Sequence, residues 1–220
     1  RANNQRTAAT PVRVPDKLKL AWQTAPRETI EPTAPVAAAG LTVVAGSDGA
    51  VQAYDSATGK SRWTAWTGGA INYPPSIADG RVHVGSGDGR AWCFDLATGK
   101  PLWCFQAAPL QRRIPVYGRL LSTWPVASGV MVADGVAYCA AGIICHDGTH
   151  VYALDAATGK IRWQNNKSGN LLGEDESVGV SVQGHMLLHN NIVHMAGGNV
   201  VSPAKFDIAN VATCPENPKC

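Results

Sequence analysis

The chain has 220 residues, 45% of them hydrophobic and 16% charged, which suits one large or two small packed domains and excludes wholesale disorder. The net charge is +3, and the nineteen basic residues are scattered, so no nucleic-acid footprint is present. No apolar run reaches the roughly 18–20 residues that a membrane span needs, and twenty-three Gly with fourteen Pro favour short strands joined by turns.

In chain order, residues 1–16 read as an extended segment with a polar opening, Arg1 to Thr10, that carries no export signal; any such signal would already have been removed. Residues 17–33 hold Leu18, Leu20 and Trp22, an alternating pattern that predicts a lone outer strand. Residues 34–67, 74–105 and 124–164 then superimpose on one another. In each, a turn signal (Ala39-Gly40, Asp79-Gly80, Asp134-Gly135) precedes an apolar strand. A second turn follows at Asp48-Gly49, Asp88-Gly89 or Asp147-Gly148. A third strand then ends in Asp55, Asp95 or Asp155, followed by A-T-G-K and a Trp. The A-T-G-K runs begin at 57, 97 and 157, and Trp63, Trp103 and Trp163 keep the same intervals of 40 and 60. Trp22 lies 41 residues before Trp63. Residues 177–211 form a degenerate copy without A-T-G-K, and residues 212–220 form a tail that Cys214 and Cys220 would close. Four short strands in about 40 residues define a propeller blade, which buries its faces only by stacking on neighbours. The expected fold is an all-β propeller with residues 17–211 supplying about four blades. It is either part of a seven- or eight-bladed ring or, alternatively, a four-bladed ring closed by 17–22.

The pattern D-G-x-V-x-V-G-S-x-D-G-x-x-x-A-x-D-A-x-T-G-K-x-x-W, with Ser47-Asp48-Gly49, Asp88-Gly89-Arg90 and Ile161-Arg162-Trp163 in place, resembles the PQQ-like (quinoprotein-type) propeller repeat from about Trp22 to Val211. Such repeats occur in quinoprotein alcohol dehydrogenases, in BamB-type outer-membrane assembly scaffolds and in exported bacterial proteins. The last group is nearest, on Arg112-Arg113-Ile114-Pro115-Val116-Tyr117-Gly118 and Ser122-Thr123-Trp124-Pro125-Val126. The resemblance implies a periplasmic, cell-surface or secreted protein.

Function is sought where the copies differ, in insertions at 106–123, 142–150 and 165–180 that a propeller places on one face. The first carries Arg112, Arg113, Tyr117 and Arg119, with Trp124 just beyond it, residue types enriched at recognition surfaces. The third carries Glu174, Asp175 and Glu176, a weak calcium candidate beside the plainer reading of a solvated acidic loop. His185, His189 and His194 cluster in sequence on a strand, where they need not converge. Cys93 and Cys104 are symmetric about the turn at 97–100 and predict a cross-hairpin disulfide; Cys139 with Cys145 and Cys214 with Cys220 form two further close pairs. The expected function is a non-catalytic exported scaffold that binds another protein chain or a surface polymer, with no cofactor and no nucleic acid. The alternatives are an oxidoreductase using PQQ and calcium, and the docking propeller of a larger enzyme complex whose catalytic residues lie elsewhere.

Overall fold

The computed structural model describes residues 13, 16–25, 30–116, 118–144, 147–168, 179–197 and 202–208. Three four-stranded antiparallel sheets follow one another. The first contains β1 (Val36–Ala38), β2 (Leu41–Ala45), β3 (Ala50–Asp55) and β4 (Ser61–Trp66); the second contains β5 (Ser76–Ala78), β6 (Arg81–Gly85), β7 (Arg90–Asp95) and β8 (Pro101–Gln106). A two-stranded hairpin, β9 (Arg113–Val116) and β10 (Arg119–Ser122), interrupts the series. The third sheet contains β11 (Val130–Ala133), β12 (Val136–Ala141), β13 (His150–Asp155) and β14 (Ile161–Asn165); a three-stranded sheet of β15 (Met186–His189), β16 (Ile192–Met195) and β17 (Ala204–Asp207) ends the series. Each sheet is a sequential meander, which is the blade that the repeat predicts.

Local chemistry explains the turns. Between strands one and two of every sheet, paired positive φ angles occur at Ala39-Gly40, Asp79-Gly80, Asp134-Gly135 and Asn190-Asn191, the conformation that a tight hairpin needs and that Gly, Asn and Asp tolerate. In the A-T-G-K turn, the Asp55 carboxylate accepts from the Thr58 hydroxyl at 2.9 Å and from the Thr58 amide at 2.9 Å, and Asp95 and Asp155 do the same with Thr98 and Thr158.

Alternate residues of each strand face opposite neighbours. Val43, Ala45, Val51 and Ala53 pack on Val82, Val84, Phe94 and Leu96. Ala91, Ala107 and Trp124 pack on Ala137, Cys139, Tyr152 and Leu154, while Met131, Tyr138, Val151 and Ala153 pack on Val193, Met195, Ala204 and Phe206. The innermost strands touch in series, β1 with β5, β5 with β11 and β11 with β15. Among the described residues no comparable contact joins β15 to β1, so the sheets form an arc. Residues 18–22 carry no strand assignment.

The repeated tryptophans lock successive blades. Trp63 Nε1–H donates to the Leu96 carbonyl at 2.9 Å, and Trp103 Nε1–H donates to the Ala156 carbonyl at 3.1 Å. Both acceptors follow the Asp that ends the third strand of the next blade. The indoles also lie against Gly99 and Gly159, the glycines of the A-T-G-K turns. Trp163 packs half-buried against the core between the third and fourth sheets.

The expected Cys93–Cys104 disulfide is absent, and the register gives the reason. Phe94 faces Pro101 but Cys93 faces Trp103, so Leu102 is an extra residue in β8. Cys93 therefore shares a face with Trp103, whereas Cys104 shares the opposite face with Trp92. Cys93, Cys104 and Cys139 are free thiols. Cys145, Cys214 and Cys220 lie outside the described residues, so the Cys214–Cys220 pairing has no structural counterpart here.

Candidate binding face

In a four-stranded meander, the turn between strands two and three and the linker to the next blade share one edge, and the A-T-G-K turn lies at the other. The hairpin β9–β10 belongs to such a linker. It is fixed to the corresponding turns of all three complete blades. Arg119 donates to the Ser47 carbonyl of the first blade at 2.8 Å, and the Ser122 amide donates to the Gly87 carbonyl of the second at 2.8 Å. Arg112 reaches the Asp147 carboxylate of the third blade at 2.7 Å.

Arg112 has three contacts that hold it in place. Its Nε–H donates to the Thr123 hydroxyl at 3.0 Å, its guanidinium bonds Asp147, and its Cζ lies 4.9 Å from the Trp124 ring centroid. Trp124 is 6% exposed and donates from Nε1 to the Asp147 carbonyl at 2.5 Å. The insertions at 106–123 and 142–150 thus meet, as their expected common face requires. Arg112, Arg119 and Trp124 act as braces within the molecule. Arg113 is exposed on β9, together with Ile114 at 42%, Leu120 on β10 at 61% and Leu110 at 64%. These apolar neighbours are not among the expected contact residues. Tyr117 and the acidic Glu174, Asp175 and Glu176 lie outside the described residues.

Two clefts separate the hairpin from the first blade. One, of about 380 Å³, is lined by Glu31, Asn72, Val116, Arg119 and Leu121; the other, of about 340 Å³, by Ser47, Asp48, Thr67, Arg119 and Leu120. Near them, Tyr73 meets the His185 ring edge-on at 4.7 Å, and burial pushes the Tyr73 hydroxyl pKa up. His189 is at the exposed end of β15, and His194 is opposite Leu187, so the three histidines do not gather. Burial, with Lys205 and His189 nearby, holds the His194 pKa below its ordinary value. Among the described residues no three His, Cys, Asp or Glu side chains are grouped to hold a metal ion. Among the same residues no helix is long and apolar enough to cross a membrane.

Stacked four-stranded sheets locked by tryptophan and decorated on one edge define a β-propeller scaffold of the PQQ-like type. The sequence matches the family described as outer membrane protein assembly factor BamB over residues 15–124 and 115–210, and the chain belongs to that PQQ-like repeat family. Among solved structures it is similar to BamB from Moraxella catarrhalis, with 18% identity and a TM-score of 0.58 over 79% of this chain and 48% of that one. It is also similar to quinohemoprotein alcohol dehydrogenase from Comamonas testosteroni, with 20% identity and a TM-score of 0.65 over 84% of this chain and 35% of that one. A second such dehydrogenase, from Pseudomonas putida HK5, gives 16% identity and a TM-score of 0.66 over 82% and 33%. The chain thus spans about half of the BamB chain and about a third of the dehydrogenases, and likeness at these identities shows the fold alone. No curated protein matches the sequence at a significant level.

Proposed function

We propose that this chain is a non-catalytic, exported scaffold that binds a protein partner through the loop face, with the β9–β10 hairpin as the principal contact. One observation carries the reading: the hairpin is braced on three blades yet presents Arg113, Ile114 and Leu120 to solvent. A preorganised strand pair with apolar and Arg side chains loses little entropy on binding. Membership of a family described as an outer-membrane assembly factor supports a binding role and export.

The test compares co-purification by the native protein and by Arg113→Glu/Leu120→Asp, both judged folded by their denaturation midpoints. Loss of one specific partner protein in the variant is the expected result. Equal recovery by both would refute the assignment to this hairpin, and loss of a polysaccharide instead would reassign the ligand class.

A further inference from the structure

We infer that His83 makes the boundary between the second and third sheets an acid-sensitive seam, which a proton on its ring opens ahead of the boundary between the first and second. The seam differs in the cross-strand row that each sheet turns toward the next blade. In the first sheet this row is Val36, Val43, Ala53 and Trp63, and in the third it is Met131, Tyr138, Ala153 and Trp163. In the second it is Ser76, His83, Cys93 and Trp103. Hydroxyl, imidazole and thiol thus stand where the first blade is apolar, and these three residues are 5%, 1% and 0% exposed.

Two of them bond across the seam. The Ser76 hydroxyl donates to the Val130 carbonyl at the start of β11. His83 Nε2 lies 3.0 Å from the Ala156 carbonyl, an acceptor only, so Nε2 carries the neutral ring's proton. Nδ1 is then the basic nitrogen, and this buried atom makes no hydrogen bond. A second proton has to go there, which places a cation inside a packed boundary. The surroundings do not compensate. Cys93 beside the ring, and Cys139 and Tyr152 across the seam, stay neutral, each pushed up to about 12. The Asp155 carboxylate next to Ala156 is engaged by Thr158 and Arg162. Arg81 opposes the charge, Asp79 and the main chain of Ala156 and Ser76 favour it, and burial outweighs them. His150 stands on the same face of β13 as Tyr152 and Leu154, and burial lowers its pKa too. His83 therefore takes up its proton more readily in the open boundary than in the closed one. Closure is full above about pH 6.5 and weakens as the pH falls below that value.

The β9–β10 hairpin straddles the seam. Arg119 and Ser122 bond the first and second blades, whereas Arg112 bonds Asp147 beyond it. Opening separates these anchors, so the hairpin loosens with the seam whatever it binds.

The experiment measures hydrogen exchange by mass spectrometry at pH 7 and pH 5, corrected for the intrinsic rate, in the full native protein and in His83→Val and His83→Gln. Val is what the first blade carries in this row, and Gln keeps a donor for Ala156 without titrating in this range. Between the two pH values, protection at residues 76–83, 113–122 and 151–156 should fall by up to about 25-fold, the limit for a ring that titrates at 6.5 when open. Protection at residues 41–55 should change by about twofold or less. Each variant should remove most of the fall, and His83→Gln decides if His83→Val does not fold. An equal fall at 41–55 would mean general acid destabilisation and overturn the seam. An unchanged fall in the variants would move the effect to His150, and no fall at all would mean that the ring is charged without opening; either result overturns the assignment to His83.

Discussion

Trp63 and Gly99 meet across the first inter-blade boundary so closely that a Cβ on Gly99 would lie 2.6 Å from the indole Cδ2. Gly99 also has a φ of +72°, so a side chain there is both strained and crowded. Gly80 has a similar φ of +68° but nothing within 4 Å of its Cβ position. Gly80→Ala should cost only the left-handed strain, about 1–2 kcal/mol. Gly99→Ala should cost that plus about 1–3 kcal/mol of overpacking. Urea denaturation midpoints of the two variants separate the terms, and equal losses would show that the indole is not locked against the turn.

The second blade boundary adds a titrating group. His83 is 1% exposed, and its Nε2 and the Trp103 indole share the Ala156 carbonyl, at 3.0 and 3.1 Å. Burial holds the His83 pKa below its ordinary 6.5, with Arg81 opposing its charging and the Ala156, Ser76 and Asp79 interactions favouring it. A lowered folded pKa means that the unfolded chain binds the proton first. Stability is therefore full above about pH 6.5 and falls as the pH drops below that value. His150 and His194 are shifted the same way. His83→Gln should reduce, without abolishing, the loss of stability between pH 7 and 5 seen in denaturation curves.

Arg112 and Asp147 brace the hairpin from a half-exposed position, so their loss should be felt locally. Arg112→Ala should change global stability by about 1 kcal/mol or less, as exposed ion pairs do. It should nevertheless raise hydrogen exchange across residues 113–122, because the ion pair and the ring contact with Trp124 go together. Unchanged exchange there would mean that the Ser122–Gly87 and Arg119–Ser47 bonds suffice.

The thiols give a chemical check on register. Burial pushes the Cys93 and Cys139 pKa values up to about 12, and Cys104 is exposed on the other face of its hairpin. Native alkylation followed by peptide mapping should label Cys104 and spare Cys93 and Cys139. A disulfide-linked peptide joining 93 to 104 would contradict the bulge at Leu102.

How far the sequence could be read follows from the range of the interactions. The A-T-G-K turns were legible because Asp55, Thr58 and Gly59 satisfy one another within five residues. The bulge was not, because a single extra residue in β8 changes no local signal yet moves Cys104 to the opposite face. The hairpin at 113–122 was read only as an insertion, since Pro115 interrupts a short run. Trp22 is placed by its spacing from Trp63, and its bond to the Ser56 carbonyl repeats the bonds of Trp63 and Trp103. The bracing role of Arg112 depends on Asp147, 35 residues away, and no residue-type argument distinguishes a brace from a contact. Arg113, one position along, presents the same chemistry to solvent.

The most direct test of the binding-face assignment is hydrogen exchange, by mass spectrometry, of the protein with and without its co-purified partner. Protection centred on residues 113–122, with none at the opposite-edge turns 57–60, 97–100 and 157–160, is the predicted result. Protection at those turns with the hairpin unchanged would contradict it and move the site to the other edge of the blades.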